Sequence, residues 1–224
     1  MNNVTFSSKG RVRILKLRKI IIMKSAKFNF KISFKMLPGS SAEDFTLPSF
    51  INGGTIEEFT LSSHRGKYVL IIFYPVDFGY VTPTEFYHLE SLMPRFKELN
   101  CEVLAISTEH LDGMRGWWDA PKSDAGLGKI KDVRMLSDTK GDVCRAYGVY
   151  KHLDNVAFRC TALLDTEGNL VSIEKSDLPV GLNMEEQLRH VQALHELDAN
   201  SQGVGVPADW QPGELINTVG FIQG

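Results

Sequence analysis

Residues 68–74 read YVLIIFY, a continuous run of aliphatic and aromatic side chains that ends at Pro75. A run this apolar, with no alternating polar positions, is typical of a central strand that is buried on both faces. The chain continues as VDFGYVTPTE over residues 76–85, and apolar residues then recur at helical spacing over residues 84–99. The stretch therefore predicts a buried strand, a loop and an amphipathic helix.

The chain on the C-terminal side repeats this alternation. Residues 103–107, VLAIS, predict another strand, and residues 161–165 and 170–173 flank a glycine-containing turn that predicts a hairpin. Residues 184–197 have the apolar spacing of an amphipathic helix. Helices that alternate with strands favour an α/β layer architecture.

The composition excludes several classes of protein. The chain of 224 residues is 43% hydrophobic and 23% charged, as in globular proteins. No uninterrupted apolar run approaches the ~20 residues that span a membrane, and three cysteines, an odd number, exclude a disulfide framework. His190 and His195 are five positions apart, on different faces of the predicted helix, so we expect no metal site. The sequence predicts a soluble intracellular domain with no membrane partner.

The charge is unevenly distributed. Ten lysines and arginines and no acidic residue precede Glu43, so the remaining chain has 25 − 10 = 15 basic against 27 acidic side chains. A body this acidic is a poor binder of phosphate backbones. We expect no nucleic-acid partner.

The basic head, residues 1–37, lacks the unbroken apolar core of a secretory signal. An arginine-containing leader without acidic residues resembles a mitochondrial transit peptide. The alternatives are a disordered basic tail, or upstream sequence that is not used because synthesis starts at Met23 or Met36. The expected location is therefore mitochondrial or cytoplasmic. We expect residues 38–198 to form one domain and residues 199–224 to form a C-terminal arm.

The loop after the buried strand carries a family resemblance. Residues 73–85 read FYPVDFGYVTPTE, which resembles the active-site pattern FYPxDFTFVCPTE of typical two-cysteine peroxiredoxins, the AhpC/TSA family. Further matching segments follow in the same order: NCEVL at 100–104, AGLG at 125–128, AYGV at 146–149, Arg159, DLPVG at 177–181 and VPADWQPG at 206–213.

The resemblance implies a thioredoxin-like α/β fold of the peroxiredoxin type, with a central mixed sheet flanked by helices and an extended C-terminal arm. It implies a thiol-dependent peroxidase that needs no cofactor and is reduced by a thioredoxin-like protein. It also implies a homodimer, or a ring of dimers, in which residues 204–213 lie across the partner subunit and bury the indole of Trp210. Active paralogues are further candidate partners.

The positions that carry the family's chemistry are changed. Thr82 stands at the position of the peroxidatic cysteine, and Val206 at that of the resolving cysteine. Gly79 stands where the family has a hydroxyl that hydrogen-bonds the peroxide. The remaining site positions match the family: Pro75, Glu85 and Arg159.

A threonine hydroxyl cannot replace the missing thiol. Peroxide reduction oxidises a thiolate sulfur to a sulfenic acid, which then condenses with a second thiol. A threonine nucleophile needs an adjacent base, and none is evident in the sequence. We therefore expect a non-catalytic homologue that acts as a structural, chaperone-like or partner-binding subunit. The alternative is a thioredoxin-dependent hydroperoxide reductase with residual activity through another cysteine, although Cys101, Cys144 and Cys160 are expected to have packing roles. An engineered Cys→Thr exchange would explain Thr82 alone.

Residues 82–85, TPTE, also fit a helix capping box. In this interpretation Thr82 is the N-cap, Pro83 is the first helical residue, and Glu85 is at the third helical position. Arg159 is then expected either to bind an anion at the helix N-terminus or to pair with Glu85.

Overall fold

The computed structural model describes residues 36–200 and 204–218. Residues 1–35, which make up nearly all of the basic head, lie outside the described residues, so the transit-peptide interpretation remains a prediction. Residues 201–203 and 219–224 of the predicted arm also lie outside them.

Eleven strands and four α-helices occur in the described part of the chain. The strands are β1 (Thr46–Ile51), β2 (Glu57–Thr60), β3 (Tyr68–Phe73), β4 (Cys101–Ser107), β5 (Val133–Ser137), β6 (Tyr150–Lys151), β7 (Val156–Ala157), β8 (Arg159–Leu164), β9 (Leu170–Ser176), β10 (Val204–Gly205) and β11 (Asn217–Thr218). The helices are α1 (Thr82–Glu98), α2 (Leu111–Asp119), α3 (Asp142–Ala146) and α4 (Met184–Ala199). None of these helices is long and apolar enough to cross a membrane.

Seven strands form one mixed sheet in the order β2-β1-β5-β4-β3-β8-β9. β3, β4 and β5 run parallel, whereas β8 is antiparallel to β3, and β9 is antiparallel to β8. The pairing of β3 with β8 places Phe73 opposite Cys160. Arg159, the first residue of β8, therefore lies beside the point where the chain leaves β3.

The predicted central strand is confirmed, because all six residues of β3 are buried. Leu70 and Ile72 contribute to the apolar cluster beneath α1, α2 and α4. Ile71 and Phe73 contribute to the cluster on the other face, which includes residues of α3. Burial of each such side chain stabilises the fold by about 1.5–3 kcal/mol. The continuous apolar run thus serves two cores, one on each side of the sheet.

The arm folds back on itself after α4. β10 and β11 pair antiparallel and close residues 204–218 into a loop. Trp210 within this loop is only 2% exposed, and its indole Nε1 donates to the Glu214 carbonyl at 3.0 Å. Arg189 of α4 donates to the Trp210 carbonyl at 3.3 Å. The expectation that this indole is buried against a partner subunit is therefore wrong, since the indole is already buried within its own chain.

Candidate active site

The site lies where β3 ends and α1 begins. Tyr74 and Pro75 are buried immediately after β3, and the Tyr74 amide extends the pairing by donating to the Ile106 carbonyl of β4 at 3.1 Å. Residues 76–81 then connect to Thr82, the first residue of α1. The sheet thus fixes the start of the loop, and the packed helix fixes its end.

Arg159 joins the two sides of the site. Its Nη1 donates to Thr82 Oγ1 at 3.0 Å and to Glu85 Oε2 at 2.7 Å. All three residues are buried, and Thr82 is fully inaccessible. The structure therefore brings together the three predicted site residues that carry polar side chains.

A loop between β9 and α4 closes the site through two backbone groups. Arg159 Nε donates to the Leu178 carbonyl at 2.7 Å, and the Leu182 amide donates to Glu85 Oε1 at 2.7 Å. Burial raises the pKa of the Glu85 carboxyl, although Leu182 and Arg159 both act to lower it. Sequence reasoning missed these partners because the DLPVG motif does not show that the Leu178 carbonyl points into the site, and Leu182 lies just beyond the motif.

The predicted capping box is wrong. The N-cap of α1 is Val81, which makes no side-chain cap hydrogen bond. The Thr82 hydroxyl instead accepts from Arg159, and Glu85 is held by Arg159 and Leu182. Of the two expectations for Arg159, pairing with Glu85 is the one observed.

Position 79 lies next to the Thr82 hydroxyl. A methyl group on Gly79 would be 3.6 Å from Thr82 Oγ1 and 3.2 Å from Val76 Cγ2. A side-chain hydroxyl at this position would therefore be within reach of residue 82, and glycine supplies none. Val206 lies in the arm, directly after β10, and is half-buried.

The three cysteines are free and buried in the apolar clusters, as predicted. Burial raises the pKa values of the Cys101 and Cys160 thiols to about 12. Burial and the neighbouring Asp138 carboxylate also raise the pKa of Cys144. Cys144 and Cys160 belong to the cluster opposite α1. Cys160 faces this cluster while Arg159 faces the site, because successive residues of β8 point to opposite faces of the sheet. The three thiols are therefore protonated. Cys144 and Cys160 lie on the other side of the sheet from α1, and Cys101 lies at the opposite end of the parallel strands from Thr82.

The described residues contain no group of three or more His, Cys, Asp or Glu side chains that could hold a metal ion. The polar groups at Thr82 are instead a cationic guanidinium, a carboxylate and a hydroxyl. This arrangement can hold the start of α1 in place and favours negative charge at residue 82.

Comparison with known proteins identifies similar sequences. The model of the AhpC/TSA family matches residues 38–173. Peroxiredoxin-1 of Gallus gallus is 38% identical over 181 residues, which are 81% of this chain and 89% of that protein. A thioredoxin peroxidase of Trypanosoma brucei rhodesiense is 36% identical over 172 residues, or 77% of this chain and 85% of that protein.

Solved structures show the same fold. The reduced 2-Cys peroxiredoxin of Plasmodium vivax superposes with a TM-score of 0.75 at 30% identity, covering 80% of this chain and 91% of that one. The mitochondrial 2-Cys peroxiredoxin of Plasmodium falciparum gives a TM-score of 0.69 at 28% identity, covering 73% and 97%. Prx1a of Plasmodium yoelii, which forms an artifactual octamer when modified at its N-terminus, gives a TM-score of 0.68 at 32% identity, covering 78% of this chain and 99% of that one. The expected thioredoxin-like fold of the peroxiredoxin type is confirmed.

Proposed function

The chain belongs to the AhpC/TSA peroxiredoxin family, and we propose that it is a non-catalytic member that acts as a structural, chaperone-like or partner-binding subunit. One observation carries the proposal. A threonine hydroxyl, fully buried and hydrogen-bonded to Arg159, occupies the start of α1, where the resemblance assigns the family's attacking thiol.

The chemistry of that position supports the proposal. Peroxide reduction transfers an oxygen to a sulfur that cycles through a sulfenic acid. A secondary alcohol has no corresponding cycle, and Val206 offers no sulfur to resolve an intermediate. Gly79 also leaves the substrate without the hydroxyl that the resemblance assigns to this position.

The remaining cysteines give little support to the alternative, a thioredoxin-dependent hydroperoxide reductase that works through another thiol. The thiolate is the reactive form, and a pKa raised by burial leaves almost none of it at neutral pH. Cys101 and Cys160 lie in strands, and Cys144 lies in α3, a helix of only five residues. None of the three thiols is therefore at the start of a long helix, where the helix dipole would lower its pKa. A peroxide would also have to enter an apolar core to reach them.

The retained parts of the site favour a scaffold. Arg159 ties the first turn of α1 to β8 and, through Leu178, to the loop before α4. These hydrogen bonds fix α1, β8 and the loop before α4 relative to one another. A fixed surface of this kind is what a subunit needs in order to bind a partner in one orientation. We propose a homo-oligomer, with active paralogues or a thioredoxin-like protein as further partners, and a mitochondrial or cytoplasmic location.

Peroxide consumption with thioredoxin, thioredoxin reductase and NADPH tests the proposal. The wild-type chain should consume hydrogen peroxide no faster than a control in which Cys101, Cys144 and Cys160 are all changed to alanine. An active two-cysteine peroxiredoxin serves as the positive control for the coupled assay. Faster consumption by the wild type, abolished in the cysteine-free control, would establish the alternative function.

A further inference from the structure

The loop that joins β3 to α1 is anchored to the core through Asp77. The hydroxyl of Tyr74, which is fully buried, donates to Asp77 Oδ1 at 3.1 Å. The other carboxylate oxygen faces the first turn of α2, where a methyl group on Gly113 would lie 3.7 Å from Oδ2. None of these atoms takes part in the site at Thr82.

A second carboxylate lies in the same cluster. Glu109, in the connection from β4 to α2, acts electrostatically on both Asp77 and Tyr74. The Glu109 amide donates to Ser107 Oγ at 3.0 Å. Among the described residues, no ion pair includes Asp77 or Glu109. The cluster thus contains two carboxyl groups and no compensating cation.

The residue after the anchor has an unfavourable backbone. Phe78 has a φ of 53°, in the left-handed region that side chains other than glycine, asparagine and aspartate seldom adopt. Its ring is 49% exposed and lies 6.4 Å from the ring of Trp117. Tyr80, two residues later, is fully exposed. The loop is therefore held in a strained conformation with aromatic side chains at the surface, and Asp77 is the adjacent contact that holds it.

We propose that the Tyr74–Asp77–Glu109 cluster is a proton-controlled latch on residues 76–81. When the Asp77 carboxyl is protonated, the loop stays docked on Tyr74 and Trp117. When Asp77 ionises, two effects favour moving its carboxylate into water: the repulsion by Glu109 and the cost of keeping a charged group buried. The strained loop is released with it. The latch would control whether Phe78 and Tyr80 are presented in one fixed arrangement.

The pH range follows from the surroundings of Asp77. Burial and the Glu109 carboxylate raise the pKa of Asp77 to about 7, although the Tyr74 hydroxyl acts to lower it. Tyr74 on the β3 side and Glu109 on the β4–α2 side are the titratable groups that act on it, while Gly113 of α2 contributes no side chain. Because the docked state raises the pKa of this acid, docking is favoured at low pH and is lost as the pH rises through about 7.

Limited proteolysis of the full chain by chymotrypsin, which cleaves after aromatic residues, tests the latch. The rate of cleavage after Phe78 and Tyr80, divided by the rate for an unstructured peptide of the same sequence at the same pH, should rise about tenfold between pH 6 and pH 8. The Asp77→Asn variant should stay protected at both pH values, because its side chain is neutral and still accepts from Tyr74. The Glu109→Gln variant should move the midpoint to lower pH, since the repulsion that raises the pKa is removed.

Two controls keep the outcome specific. Asp112→Asn removes an exposed carboxylate from the same turn of α2 and should leave the midpoint unchanged. Cleavage after Tyr68 and Phe73 in the buried strand β3 should stay undetectable at both pH values, which excludes global unfolding. Equal protection of the loop at pH 6 and pH 8 in the wild type, or a pH dependence that persists in Asp77→Asn, would overturn the latch. Neither result would bear on peroxidase activity.

Discussion

Arg159 Nη1 lies 3.0 Å from Thr82 Oγ1, although 77 residues separate the two in sequence. The antiparallel pairing of β3 with β8 creates this contact, because it places the first residue of β8 beside the end of β3. The same nitrogen also donates to Glu85 one turn further along α1. A hydroxyl at residue 82 thus occupies an electrostatic environment that favours an anion.

The Thr82→Cys variant should therefore carry an acidic thiol. The start of α1 and the Arg159 guanidinium both stabilise a thiolate, so a pH titration of the ultraviolet absorbance of the thiolate should give a pKa below the usual ~8.5. The wild-type chain should show no thiolate absorbance at neutral pH, because burial raises the pKa of each of its three cysteines.

A matched control separates the two contributions. Thr84→Cys places a thiol on the same first turn of α1 but at an exposed position that does not contact Arg159. Its pKa should lie between that of Thr82→Cys and the usual value. Equal pKa values for the two variants would contradict a role for Arg159 at residue 82.

The buried ion pair should be costly to break from one side. Arg159→Met leaves the Glu85 carboxylate buried without a cation, so the free energy of unfolding should fall by about 3–5 kcal/mol in urea titrations. Arg159→Met combined with Glu85→Gln should recover part of this loss, because the unpaired charge is removed. Arg95→Met breaks an exposed pair with Glu185 and should cost less than about 1 kcal/mol. A loss at Arg159 as small as that at Arg95 would contradict the role assigned to the pair.

The sequence predicts the parts of the fold that have a strong local pattern. The apolar run of β3 and the helical spacing of α1 are such patterns, and the family motif places Arg159 at the site. α2 was not predicted, because Gly113 and Gly116 interrupt a helix of only nine residues that its buried side chains stabilise through tertiary packing.

Other features depend on tertiary contacts that no local pattern contains. The sequence TPTE fits a capping box, yet the competing bonds from Arg159 and Leu182 take both side chains that the box would use. The burial of Trp210 within its own chain depends on the way residues 204–218 fold back on themselves. The family resemblance implies an arm that docks on a partner subunit, and it does not show this folding back.

Trp210 should therefore stabilise the monomer fold. Trp210→Ala removes an almost fully buried indole and should lower the free energy of unfolding by about 3–5 kcal/mol if the rest of the chain does not collapse into the space. Leu215→Ala, in the same arm but 93% exposed, should change it by less than about 0.5 kcal/mol. Size-exclusion chromatography at matched concentrations should give the same elution volume for Trp210→Ala as for the wild type. Dissociation of an oligomer without a loss of protomer stability would instead show that the indole acts at an interface.

Position 79 should control how well an introduced thiol reacts with peroxide. In the Thr82→Cys background, Gly79→Ser adds a hydroxyl group. Its Cβ would lie 3.6 Å from the Oγ1 position of residue 82, so the hydroxyl can hydrogen-bond a peroxide that is bound there. The second-order rate constant for oxidation of the thiol by hydrogen peroxide, measured by stopped flow, should rise by about tenfold, since one such hydrogen bond in the transition state is worth about 1.4 kcal/mol.

The close contact with Val76 Cγ2, 3.2 Å from the added carbon, requires that side chain to shift by a few tenths of an ångström. Gly116→Ser in the same background adds a hydroxyl on the exposed face of α2, where nothing lies within 4 Å, and should leave the rate constant unchanged. An unchanged rate constant in Gly79→Ser, with the pKa of the thiol also unchanged, would show that position 79 does not face the peroxide. Turnover should stay slow in both variants unless a small external thiol is added, because Val206 cannot resolve the sulfenic acid.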